Sequence, residues 1–110
     1  MFTKTIEKEI TERIKANYKV KELILFGSYA YGNPDEDSDI DLVLILDEEA
    51  TAEKYSEILE RRVKLSKLLL DIERTTPLDI LIYTSGEWNQ LIKTGSSFIS
   101  EVTSKGRRIA

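Results

Sequence analysis

Residues 26–46 read FGSYAYGNPDEDSDIDLVLIL, and the fold turns on how this stretch changes character along its length. It opens where the apolar run at 22–26 (ELILF) stops dead at Gly27, the pattern of a buried strand that ends on a tight turn. Residues 28–31 have the length of one helical turn. Gly32-Asn33-Pro34-Asp35 then collects turn-forming residues and reads as a loop. Residues 37–46 (DSDIDLVLIL) close the stretch with β-branched and leucine content that predicts a central strand. Two strands flanking a glycine turn leave Asp39 and Asp41, two residues apart, at the head of the second, with side chains expected on one face.

Upstream, Phe2, Ile6, Ile10 and Ile14 recur every four residues among charges, predicting an amphipathic helix that ends near Asn17. Downstream, 48–71 reads as one long helix. At 100° per residue, Tyr55, Ile58, Leu59, Val63, Leu65, Leu69 and Leu70 share a broad face, which Leu68 and Ile72 widen beyond what one sheet contact requires. Arg62 falls oddly within that face, where it is expected to snorkel to the edge or pair with an acid. Residues 77–83 (PLDILIY) predict a third strand with Pro77 at its first position, where a missing N–H is tolerated. Residues 86–93 and 96–104 read as short helices separated by Gly95, and 107–110 as a final short strand or a frayed tail. The order is that of an α/β (α+β) domain, a small mixed sheet flanked by helices, with 1–110 forming one domain and no internal repeat or linker.

Composition narrows the chemistry. The chain of 110 residues has no cysteine and no histidine, which excludes disulfides, thiolate nucleophiles, imidazole acid–base catalysis and most zinc sites. What remains is carboxylates, hydroxyls, Lys, Arg and hard cations bound by oxygen, and carboxylate–Mg²⁺ chemistry fits that set. The net charge of −4 weighs against an extended nucleic-acid surface. The basic clusters Arg61, Arg62, Lys64, Lys67 and Lys105, Arg107, Arg108 read as solvated surface. No apolar run is long enough to cross a bilayer and the N-terminus lacks a signal-peptide pattern, so a cytoplasmic protein is expected.

Three acids stand where apolar packing has no use for them: Asp39 and Asp41 heading one strand, and Asp79 near the start of another. Isolated buried carboxylates are costly to desolvate, so such acids require a cation, a proton or solvent. The strand–Gly27–Ser28–turn junction ahead of them offers backbone N–H groups and a hydroxyl to phosphate oxygens. A phosphate cradle followed by a metal-binding strand has the makings of a triphosphate site.

Gly27-Ser28, ten intervening residues and Asp39-x-Asp41 resemble the signature of the DNA polymerase β-type nucleotidyltransferase superfamily. The run 27–46, with Gly32 and Ser38 in place, resembles its smallest members, the minimal nucleotidyltransferases, which commonly act as antitoxins beside a HEPN-domain partner. The resemblance implies a polymerase β-like fold in which Gly27 and Ser28 hold the β- and γ-phosphates of a nucleoside triphosphate. It further implies that Asp39 and Asp41 ligate divalent ions, two Mg²⁺ as a rule, and that Asp79 completes the metal site and helps deprotonate the acceptor hydroxyl. In such members the nucleotide is ATP and the acceptor a tyrosine of the HEPN toxin, silenced by adenylylation. The competing reading is a binding module that neutralises its partner by covering it. A third is a small-molecule transferase that builds its acceptor pocket across a homodimer; homo- and hetero-oligomers both remain open. Around the motif, Asp35, Glu36 and Asp37 are expected to face solvent, Ser38 to bond locally, Tyr29 and Tyr31 to pack, and Trp88 to fill a core or interface.

Overall fold

The computed structural model describes residues 4–32 and 39–110. Helix α1 (Lys4–Asn17) carries Ile10 and Ile14 on its buried side and ends as its apolar repeat does. Phe2, the first member of that repeat, lies outside the described residues. Strand β1 (Val20–Phe26) leads into the single-turn helix α2 (Ser28–Tyr31), and β2 (Ile40–Leu46) follows. Helices α3 (Tyr55–Leu68) and α4 (Leu70–Glu73) then carry the chain to β3 (Leu78–Thr84). Helices α5 (Ser85–Lys93) and α6 (Ser97–Lys105) precede a two-residue strand β4 (Arg107–Arg108).

The four strands form one mixed sheet in the order β3-β2-β1-β4. β1 is antiparallel to both β2 and β4, while β2 and β3 are parallel, as a connection through helices allows. β2 lies in the interior of the sheet and is buried from Leu42 to Leu46, so its apolar run is continuous rather than alternating. Its side chains divide between two layers. Leu42, Leu44 and Leu46 pack with Ile10, Ile14, Leu65 and Leu69 of the α1/α3 side. Val43 and Ile45 pack with Trp88, Ile99 and Val102 of the α5/α6 side. Trp88 is therefore core. The chain's last strand, expected as strand or frayed tail, is tied in by Leu23 N–H donating to Ala110 O and Ile109 N–H donating to Leu23 O.

The long helix expected over 48–71 is corrected at both ends. Residues 48–54 are not helical, and two of their backbone groups are claimed by the start of α5. The Ser85 hydroxyl and the Gly86 N–H both donate to Glu48 O, and Ala52 N–H donates to the Glu87 carboxylate. Near the other end the helix breaks at Leu69, whose φ of −110° and ψ of 12° leave the helical region. The broad apolar face also divides. Leu65 and Leu69 are buried against the sheet, whereas Tyr55, Leu59, Val63 and Leu70 stay exposed. Arg62 is exposed rather than drawn into a core. Arg13 clamps α1 to α4 by donating to both oxygens of Asp71, at 2.6 and 2.8 Å.

Candidate functional site

The register of the sheet assembles the acids. Phe26 pairs with Asp41 across the antiparallel β1–β2 ladder, and Asp41 pairs with Asp79 across the parallel β2–β3 ladder. Paired residues on adjacent strands direct their side chains to one face, so Asp41 has Asp79 as its lateral neighbour. Asp39 precedes the first residue of β2 rather than lying within it, and it is exposed, as is Asp79. The expectation that strand β2 begins at 37 places too much of this segment in the ladder; 37 and 38 lie outside the described residues.

Gly27 closes this end of the sheet. Its φ is +74°, a conformation that costs an L-residue about 1–2 kcal/mol. Its missing side chain has a second consequence: a Cβ there would collide with the Asp41 carboxylate. The turn after β1 and the acid of β2 thus occupy one space, and glycine alone permits both. From Gly27 O, which accepts the Ala30 N–H at 3.0 Å, the chain winds into α2. Ser28 begins that turn; its side chain, Ser38 and the acidic loop Asp35, Glu36 and Asp37 lie outside what the structure describes. Tyr29 is half-buried and packs on the core, as expected. Phe26 meets Phe98 edge-on, with ring centroids 5.6 Å apart, and the pair forms an apolar wall beside the acids.

Electrostatics single out Asp41. Burial raises its pKa first, and the negative charges of Asp79 and Asp39 raise it further. Among the described residues none of the three acids has an ion-pair partner. Such a cluster is stabilised by a proton or by a cation. The donors are carboxylate oxygens, the hard ligands that Mg²⁺ selects, so the residues fit a divalent ion. Among the described residues no group of three acids is arranged to hold a metal ion by itself, so a bound ion would take its remaining ligands from elsewhere, such as phosphate oxygens. Beside Asp79 a groove of about 160 Å³ runs past Ser66, Glu73 and Arg62. Larger surface grooves, of about 460 and 720 Å³, lie along α1 and beside 46–64, away from these acids.

Sequence reasoning missed a second polar assembly at the opposite end of β3. Thr84 caps α5, accepting the Glu87 N–H at 3.1 Å while the Glu87 carboxylate accepts the Thr84 N–H at 3.0 Å. Arg61, read as solvated surface, instead donates to both Glu87 oxygens at 2.6 and 3.1 Å. Burial alone pushes the Glu87 carboxyl up, but the hydrogen bonds from Arg61, Thr84 and Ala52 outweigh it and the net shift is downward. The pattern Thr84-x-x-Glu87 was a legible capping box; Arg61, 26 residues away, left no local signal. Arg107 and Arg108 likewise pair with Glu7 and Glu22.

Comparison with known proteins agrees with the fold. The model of the nucleotidyltransferase domain family matches residues 7–83, which contain Gly27 and all three acids. A Methanocaldococcus jannaschii protein assigned as a protein adenylyltransferase, MJ0141, is 34% identical over 94% of this chain and 90% of its own length. Another from the same organism, MJ1379, is 41% identical over 54% of this chain, and the match spans 61% of that relative. Among solved structures, a toxin–antitoxin with AMP-PNP aligns over 94% of this chain and 72% of its own, with TM-score 0.58 and 23% identity. A Shewanella oneidensis complex of tri-AMPylated HEPN toxin with MNT antitoxin aligns over 94% of this chain and 68% of its own, with TM-score 0.51 and 21% identity. At these identities the solved structures establish the fold.

Proposed function

This chain belongs to the nucleotidyltransferase domain family, and on that premise we propose that it transfers AMP from ATP to a tyrosine hydroxyl of a HEPN-class toxin, acting as its antitoxin in the cytoplasm. The observation that carries the reading is the Asp41–Asp79 pair, flanked by Asp39 and pressed against a glycine turn whose side-chain space the Asp41 carboxylate fills. A surplus of uncompensated negative charge at a strand head, with no basic partner in the described chain, is what a site for Mg²⁺ and triphosphate requires.

In this reading Asp39 and Asp41 would hold the divalent ions, with Asp79 completing the set, and Mg²⁺ held there would supply charge neutralisation to the phosphates. Gly27 and Ser28 hold the β- and γ-phosphates, the glycine by letting phosphate approach the backbone. Asp79, exposed on the edge strand, takes the proton of the acceptor hydroxyl as its oxygen bonds to the α-phosphorus. The bond from that phosphorus to the bridging oxygen breaks, and pyrophosphate leaves. Nothing in this sequence of events needs an imidazole or a thiol. Phe26 and Phe98 supply an apolar flank at the same end of the sheet.

The test is transfer of label from α-labelled ATP with Mg²⁺, in the presence and absence of the protein encoded beside this chain, with Asp39→Asn as control. Label on a partner tyrosine, absent in the control, supports the reading. A stable complex that suppresses the partner without any label would replace it with neutralisation by binding alone.

A further inference from the structure

Helix α3 and the first residue of α4 leave unburied the side chains that their apolar pattern would place in a core. Tyr55, Leu59, Val63 and Leu70 are 68, 42, 52 and 48% exposed, while Leu65 and Leu69 of the same segment are fully packed. An aligned row of large exposed apolar residues marks an interaction surface more often than chance solvation does. Positions 59, 63 and 66 are spaced four and three apart, the spacing of a seam between two packed helices, and Leu70, just past the break at Leu69, lines one surface groove with Val63 and Ser66. Ser66 sits mid-seam and is small enough for close approach.

The charges beside the seam identify the occupant. Glu60 and Lys67 each follow a seam residue by one position and are seven apart, so they lie on the same flank. Both are exposed, and among the described residues neither has an ion-pair partner. More broadly, Glu57 and Glu60 make the first half of α3 acidic. Arg62, Lys64 and Lys67 make the second half basic, Arg61 being committed to Glu87. A helix with this polarity is complementary to itself when reversed.

We propose that α3, continued by Leu70 of α4, is the seam of a homodimer in which two copies of this chain pack antiparallel about a two-fold axis. Leu59 lies opposite the second copy's Leu70, Val63 lies opposite its Ser66, and Glu60 meets its Lys67. Two-fold symmetry makes each contact twice. A parallel pairing would set Lys67 beside the second copy's Arg62 and leave Glu60 without a cation, so the charges select the antiparallel one. Asp41 faces the α5/α6 layer, on the other side of the sheet from α3, and stays open in the dimer. Arg62 and Ser66 also border the groove at Asp79, so pairing brings the second copy to the edge of that groove.

The experiment is sedimentation equilibrium of the purified chain across a concentration series, with Glu60→Lys and Lys67→Glu measured singly and mixed, and circular dichroism to confirm that each is folded. The wild type is expected to double in mass as concentration rises, and each single variant to associate about tenfold more weakly. Mixing the two variants restores the doubled mass, because one offers two lysines on the flank and the other two glutamates. A wild type that stays at monomer mass throughout, or single variants that pair as well as wild type, overturns the proposal. The first of these outcomes would leave the stripe to a different protein.

Discussion

Asp41 and Glu87 are both half-buried carboxylates near opposite ends of the same parallel strand pair, and the fold treats them in opposite ways. Glu87 receives a guanidinium and two backbone N–H groups, and its carboxyl is held below the usual range. Among the described residues Asp41 receives none of these; it is placed beside Asp79 and near Asp39, and its pKa is raised. Burial alone cannot account for the difference, since it pushes both upward. The difference lies in the partners supplied. One acid is a structural clasp joining α5, α3 and the segment at 52; the other is left beside like charges, which a proton or a cation would balance.

The largest expected effect comes from removing the unbalanced charge. Asp41→Asn should lower label transfer at least about a hundredfold, because charge stabilisation by a bound ion contributes several kcal/mol to such a transition state. Its melting temperature should equal or exceed that of wild type, since a repelled acid has been neutralised. A marked loss of stability would place Asp41 in the clasp category instead. The mirror-image variant, Glu87→Ala, should cost about 2–3 kcal/mol in denaturant unfolding by orphaning Arg61 and the Thr84 and Ala52 N–H groups. The folded fraction should retain transfer; if it does not, the two ends are coupled. Gly27→Ala should cost about 1–2 kcal/mol from its positive φ, and should reduce transfer as well by displacing Asp41. Loss of stability with transfer unchanged would show that the contact with Asp41 is dispensable.

Acidification sharpens the contrast with a smaller effect. Because the folded chain holds Glu87 below its ordinary pKa, it binds that proton less tightly than the unfolded chain. The stability Glu87 contributes is therefore complete above the ordinary glutamate range and is lost as pH falls through that range toward the lower folded value. The gap between wild type and Glu87→Ala in melting temperature should narrow over this window. A gap that stays constant on acidification would contradict the assigned role.

The two ends were unequally legible. Gly27, Asp39 and Asp41 sit within a short run whose spacing reads locally, and the same glycine turn and adjacent strands make the site. Asp79 was legible as an acid in an apolar strand, and its alignment beside Asp41 waited on the parallel register. The clasp depends on contacts 26 and 35 residues apart, which local patterns do not carry. Those contacts also help hold 48–54 out of helix: Glu48 O and the Ala52 N–H bond to α5. Helical periodicity marked the apolar residues of α3 as one face, yet which of them meets the sheet is decided by packing. Leu65 and Leu69 took that contact, and Leu59 and Val63 did not.

The most direct test of the contrast is the thermal shift produced by Mg²⁺ with a non-hydrolysable ATP analogue, measured on wild type, Asp41→Asn and Glu87→Ala. A ligand at a hundred times its Kd adds about 2.7 kcal/mol to the stability of the state that binds it. A clear rise in melting temperature is expected for wild type and for Glu87→Ala, with little or none for Asp41→Asn. An equal rise in all three would mean that the nucleotide binds elsewhere, and the assignment of the acid cluster as the triphosphate site would be wrong.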